Sequence, residues 1–130
     1  MGAVLLDTHV VHWWSAEPER VSASARTILE QADDLAVAAI SWYELAWLAE
    51  HERITVRIPI SSWLKGLAAQ LRTIPINPAI AHTAVSLPSS FPGDPADRMI
   101  YGTAVENDLP LVSKDKAMRE HSHPRPIVVW

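Results

Sequence analysis

Ala3-Val4-Leu5-Leu6-Asp7-Thr8, near the start of the chain, sets four apolar side chains in a row and then an acid. An unbroken apolar run of this length predicts a strand buried on both faces, because a half-exposed strand would alternate apolar with polar residues. Working outward, Thr8–Ser15 has helical character, and Ser22–Ala32 repeats helical spacing with Ser22 or Ser24 as its cap. Leu35–Ile40 is a second apolar run of strand length, and Ser41–Glu52 follows it as a helix. Further helices are predicted at Ile60–Arg72, Pro78–Leu87, Asp94–Asp108 and Lys114–Glu120. Short strands are predicted at Ile74–Ile76, Pro110–Val112 and Ile127–Trp130, with Pro75 favouring a sheet edge. Apolar strands alternating with helices predict an α/β fold with a parallel sheet covered on both faces.

The 130 residues, 48% hydrophobic, suit a single domain over residues 1–130. With no cysteine there is no disulfide and no thiolate metal site. Met1–Leu6 is too short for a signal-peptide core, and Leu35–Tyr43 falls far below the roughly 20 apolar residues of a membrane span. A cytoplasmic protein without membrane association is expected. The net charge of −4 argues against a simple basic clamp for nucleic acid. Its distribution is uneven: residues 1–52 hold nine acids and two bases, whereas residues 53–130 hold six acids and nine bases.

In an open parallel sheet, functional groups gather beyond the carboxyl ends of the strands. The residues expected there are acids: Asp7 directly after the first strand, Glu44 in the helix after the second, and Asp115 just after Val112. Asp94 and Asp97 open the helix that leads into the Pro110–Val112 strand. Most of these have a local alternative. Glu44 completes a Ser41-x-x-Glu44 capping box, Asp94-Pro95-Ala96-Asp97 is a normal helix start, and Asp115 could complement a helix dipole. Asp7 has no obvious capping duty. Four carboxylates converging on one point repel one another unless a cation neutralises them. An all-oxygen set suits a hard ion such as Mg²⁺ or Mn²⁺, and with it phosphoryl chemistry.

Rival phosphoaspartyl and nucleotide-binding readings fail on particular residues. Asp7-Thr8-His9 is not the Asp-x-Asp of a haloacid-type phosphatase, and Ile74-Pro75-Ile76 runs into Asn77 where a receiver domain needs an acid. Four glycines supply neither phosphate-binding glycine motif.

Four segments, LLDTHVVHWW (Leu5–Trp14), AISWYELAWL (Ala39–Leu48), FPGDPADRMIYGTA (Phe91–Ala104) and LPLVSKD (Leu109–Asp115), are together similar to the PIN-domain nucleases. The resemblance is strongest to the VapC-like toxins of bacterial toxin–antitoxin pairs. It implies a three-layer α/β/α fold with a parallel sheet of about four to five strands. It also implies a Mg²⁺- or Mn²⁺-dependent endoribonuclease whose metal-binding and catalytic acids are Asp7, Glu44, Asp97 and Asp115. Asp94 belongs to the DPxDR form of the third motif. Thr8 and Ser113 match small hydroxyl positions, with serine at 113 where threonine is usual. Arg98, Lys114 and Lys116 are the candidate phosphate contacts. The implied partners are RNA, a cognate antitoxin and a second copy of the chain. A DNA nuclease and a non-catalytic protein-binding module stay open as alternatives.

Two further patterns stand apart. His9 with His12, and His121 with His123, lack a third ligand at a recognised spacing, so no transition-metal site is expected. Of the six tryptophans, adjacent Trp13 and Trp14 cannot both point inward, and Trp42 and Trp47 flank Glu44. Exposed aromatic surface is therefore expected, for an antitoxin segment or for stacking on RNA bases.

Overall fold

The computed structural model describes residues 2–121 and 126–130. Five strands, β1 (Ala3–Leu6), β2 (Asp34–Ala38), β3 (Arg72–Ile74), β4 (Leu111–Val112) and β5 (Val128–Val129), form one sheet in the order β3-β2-β1-β4-β5. Every neighbouring pair is parallel. The α/β reading and the strand number both hold.

Side-chain alternation along β1 divides the interior into two cores. Val4 and Leu6 face one side, where they meet α1 (Thr8–Ala16) through Val10 and Val11, and α2 (Ala23–Gln31) through Ala25 and Leu29. Leu45 of α3 (Ala39–Glu50) and Leu67 of α4 (Ile60–Ala68) complete that layer. Leu5 faces the other side, with Ile80 of α5 (Pro78–Ser86), Ile100, Tyr101 and Ala104 of α6 (Pro95–Glu106), and Met118 of α7 (Lys116–Glu120). A sheet buried on both faces needs apolar side chains in both directions, which is why β1 shows no polar alternation.

α5 and α6 pack closely at Gly102, where a Cβ would stand 3.1 Å from the Ile80 carbonyl oxygen. The glycine thus sets the height at which α6 lies over the sheet. α3 and α6 end alike. Glu52 (φ 55°) and Asp108 (φ 53°) take left-handed backbone, and Arg53 and Leu109 donate back to the carbonyls of Leu48 and Ala104. Both are Schellman ends built without the usual glycine.

Several boundaries differ from expectation. β2 stops at Ala38 and α3 starts at Ala39, because Ala39 and Ile40 are apolar in either period and hide the change of element. The expected capping box is therefore absent: Ser41 lies inside α3, buried, and the cap position is Ala38, without a side-chain bond. β3 comprises Arg72–Ile74 rather than residues 74–76. Its exposed Arg72 and Thr73 read as polar helix end, and Pro75 beyond them has no N–H for the ladder. β3 is an edge strand, as Pro75 suggested.

Candidate active site

The sheet order changes direction at β1, whose neighbours are β2 on one side and β4 on the other. A crevice opens beyond the carboxyl ends of strands at such a point. Here it is a cleft of about 870 Å³ lined by Asp7, Glu44, Asp94, Asp97 and Asp115, with Thr8, His9 and Lys114 among them.

Asp7 is pinned from two sides. It caps α1, accepting at Oδ1 from the Thr8 backbone N–H (2.8 Å), and Oδ2 accepts from the Ser113 hydroxyl (2.6 Å). A capping duty does exist, and it leaves the carboxylate facing the cleft. The Asp7 backbone N–H bonds to the Val112 carbonyl, so β1 and β4 are locked together where both release their functional residues. Burial holds the Asp7 pKa above its ordinary value, against the opposing pull of the Ser113 and Thr8 bonds.

Glu44 is held by Thr8, whose hydroxyl lies 2.5 Å from Glu44 Oε1 and 2.9 Å from Ser41 Oγ. One hydroxyl carries one proton, and the carboxylate can only accept. Thr8 therefore donates to Glu44 and receives from Ser41. Burial raises the Glu44 pKa; Thr8 lowers it, and the charges of Asp7 and Asp94 raise it again.

Asp94 caps α6, accepting from the backbone N–H groups of Ala96 (2.7 Å) and Asp97 (3.3 Å). Asp115 caps α7, accepting from Met118 N–H (2.9 Å), and its own N–H donates to Ser113 Oγ (3.1 Å). The helix-start readings of both are correct, and both side chains still line the cleft.

Asp97 differs from the others. Its carboxylate has no hydrogen-bond partner among the described residues and is half-buried. Its pKa is pushed up to about 7 by burial first, then by the charges of Asp7, Asp94, Glu44 and Asp115. Burial and the surplus of negative charge around the cleft both favour the protonated form of this carboxyl group.

The donors are carboxylate oxygens with hydroxyls close by, the chemistry of a hard divalent ion rather than zinc. Among the described residues, no three acid or histidine side chains are gathered tightly enough to hold an ion as they stand. A hard divalent ion here would take few protein ligands and draw the rest from solvent or substrate.

Two of the expected phosphate contacts are elsewhere. The Arg98 guanidinium donates to the carbonyls of Ala84, Leu87, Pro88, Phe91 and Pro92, tying the α5–α6 loop to α6, and it does not line the cleft. Lys116 is exposed beside Glu120, also outside the cleft. Lys114 does line it, with Nζ 5.8 Å from the Trp13 ring centroid.

One wall of the cleft was missed in the sequence. Ile40, Tyr43, Glu44, Trp47 and Leu48 share a single stripe of α3, with Tyr43 68% and Trp47 40% exposed. The spacing i, i+3, i+4, i+7, i+8 was the available signal. Trp13 also lines the cleft; Trp14 packs against the first core, and Trp42 Nε1 donates to Thr73. His12 pairs with Glu17, while His121 meets the Phe91 and Tyr101 rings edge-on. His123 lies outside the described residues.

An acid-lined cleft at the carboxyl edge of a parallel sheet agrees with the resemblance read from the sequence. The chain belongs to the PIN domain family, whose model matches residues 4–124. It is 62% identical over 130 residues, the whole of both chains, to Ribonuclease VapC22 of Mycobacterium tuberculosis (strain ATCC 25618 / H37Rv). Two solved structures share its fold. One, a toxin–antitoxin complex from Klebsiella pneumoniae, has a TM-score of 0.72 at 22% identity, covering 98% of this chain and 96% of that one. The other, VapBC2 from Rickettsia felis bound to a DNA fragment from its promoter, has a TM-score of 0.70 at 14% identity, covering 99% and 98%.

Proposed function

We propose that this chain is a metal-dependent endoribonuclease and the toxin of a toxin–antitoxin pair, acting as a single domain over residues 1–130 in the cytoplasm. The observation that carries this reading is the gathering of five acids, Asp7, Glu44, Asp94, Asp97 and Asp115, around one cleft, where burial first and then the charges of the other four push the Asp97 pKa up to about 7. Full-length similarity to a protein named a ribonuclease supports the RNA substrate. No described helix is long and apolar enough to cross a membrane.

In this reading Asp7 and Asp97 would be the main ligands of a Mg²⁺ or Mn²⁺ ion. Asp115 would help hold a second ion or the water shell of the first, and Asp94 would act through an outer water. Such an ion would supply Lewis acidity and lower the pKa of a bound water. Glu44 orients and deprotonates the attacking water, and burial raises its pKa above the ordinary carboxylate value. Thr8 and Ser113 hold Glu44 and Asp7 at fixed orientation through their hydroxyl protons. Lys114, at the rim beside Trp13, meets a substrate phosphate oxygen. The exposed Tyr43 and Trp47 receive an apolar segment of the antitoxin, and the protein pairs with itself as a homodimer that assembles further with that antitoxin.

Cleavage of a structured RNA with Mg²⁺ or Mn²⁺, with and without EDTA, tests the enzyme. Wild type should cut only with metal, and Asp7→Asn and Asp97→Asn should not cut. Equal cleavage by the variants would remove the assignment. Expression of the wild type alone should arrest bacterial growth, with rescue by a small co-encoded protein.

A further inference from the structure

A second depression, of about 690 Å³, shares His9 and Trp13 with the acid cleft as a common wall. Its charge is opposite. Arg20, Arg53 and Arg57 line it against one acid, Glu17. That acid is already engaged, 2.9 Å from His12 Nε2 and 3.8 Å from an Arg20 guanidinium nitrogen. Among the described residues, neither Arg53 nor Arg57 is paired with a carboxylate. In a chain of net charge −4, a basic hollow directly beside an acidic one is not a consequence of overall composition.

The arginines are presented in a particular way. The Arg20 guanidinium lies 5.0 Å from the Trp13 ring centroid, and that of Arg53 lies 5.6 Å from the Trp47 centroid. A guanidinium set over an aromatic ring keeps its in-plane N–H groups free, and those groups match the oxygens of a phosphodiester. His9, exposed, stacks on Trp13 at 5.8 Å and 29°, so an aromatic surface stands at the junction of the two hollows. Arg53 and Arg57 reach the depression because the Schellman end at Glu52 turns the chain sharply off α3. Phosphate-binding forks next to a stacking surface are the two components of a single-strand nucleic-acid groove.

We propose that this arginine-lined depression holds the RNA strand where it leaves the acid cleft, with backbone phosphates on Arg20, Arg53 and Arg57 and a base against the His9–Trp13 stack. The proposal rests on the ribonuclease reading above and adds a second subsite to it. It also gives a physical reason for the depression. An acid cleft repels a polyanion, so a substrate strand needs positive charge beside the cleft to stay in place. The subsite acts through position, not chemistry. Its loss weakens substrate capture and leaves the acids around the scissile bond unchanged.

The test is binding of a fluorescently labelled single-stranded RNA oligonucleotide in EDTA, followed by anisotropy across a salt series, for wild type and Arg53→Ala/Arg57→Ala. Each phosphate contact contributes a slope of about 0.7 in log K against log salt for single strands. The double variant should therefore bind at least about tenfold more weakly, with a slope shallower by about 1.4. In cleavage assays its KM should rise while kcat stays close to wild type. Lys65→Ala, which removes an exposed charge outside both hollows, should match wild type in affinity and slope. Both arginines are exposed, and an unchanged thermal midpoint verifies that the double variant is folded. Unchanged affinity and slope, in a preparation whose wild type cleaves RNA, would overturn the subsite and leave the ribonuclease reading intact. Equal losses for RNA and for poly-glutamate would show a general anion site and overturn the RNA assignment. A wild type that neither binds nor cleaves RNA would remove the underlying reading and the subsite with it.

Discussion

The Ser113 hydroxyl donates to Asp7 Oδ2 across 2.6 Å, joining the ends of two neighbouring parallel strands whose residues are 106 positions apart in sequence. Ser113 Oγ also accepts from the Asp115 N–H, so one serine orients the acid after β1 and the loop that presents the acid after β4. Ser113→Ala should lower stability by about 1–3 kcal/mol, the usual cost of leaving a buried acceptor without its donor. It should also raise the Asp7 pKa further, since this bond favours the ionised form. The acidic limb of the pH–activity profile should then move to higher pH. Ser113→Thr should restore both properties, and an unaltered profile for Ser113→Ala would show that the bond does not tune Asp7.

Asp97 gives metal-free protein a particular pH dependence. Its folded pKa of about 7 stands above the ordinary 3.8, so between those values the folded state holds a proton that the unfolded chain has released. That contribution to stability is fully present below the unfolded pKa and is lost as pH rises through the folded one. In EDTA, the wild-type melting temperature should fall as pH rises from about 4 to about 7 and then level. Asp97→Asn should flatten the decline without abolishing it, because Asp7 and Glu44 are shifted in the same direction. Parallel curves for the two proteins would count against the crowding of acids around Asp97.

Arg98 is a structural residue in spite of its place in the third motif. Its guanidinium meets five backbone carbonyls, and a lysine cannot reproduce that planar fork. Arg98→Ala should cost about 2–4 kcal/mol, and Arg98→Lys should recover little of it. Activity per folded molecule should hold in both, as measured by turnover under saturating RNA well below the melting temperature. A selective rise in KM with full stability would reinstate a phosphate contact.

Glu52 adopts φ 55° at the end of α3, a conformation that costs an L-residue about 1 kcal/mol and glycine almost nothing. Glu52→Gly should stabilise the protein by a few tenths to about 1 kcal/mol in urea unfolding, the larger entropy of glycine in the unfolded chain offsetting part of the gain. Destabilisation would mean that the Glu52 side chain contributes more than its backbone strain costs.

Much of the fold was legible because β1 and β2 are buried on both faces and display it as unbroken apolar runs. Legibility failed where physical signals overlap. Ala39 and Ile40 suit a strand as well as a helix, and that ambiguity produced a capping box at Ser41 that the structure lacks. Arg72 and Thr73 are polar because they lie on an edge, which hid β3. The acids Asp7, Glu44, Asp94, Asp97 and Asp115 were readable from their positions after strands and at helix starts, and all five line one cleft. Of the three candidate phosphate contacts only Lys114 lines the cleft; Arg98 and Lys116 were assigned by proximity in sequence, which does not give side-chain direction. The wall formed by Tyr43 and Trp47 needed the helical stripe to be counted from Ile40, a residue read as strand.

The central claim is that these carboxylates share one space which a divalent cation relieves. Calorimetric titration of Mn²⁺ into wild type and Asp7→Asn/Asp97→Asn, at about pH 6.5 and about pH 8, tests it without any substrate. Wild type should bind, releasing more protons at the lower pH as Asp97 ionises, and the double variant should bind weakly or not at all. Equal Mn²⁺ uptake by the two proteins, or none by wild type, would contradict the account.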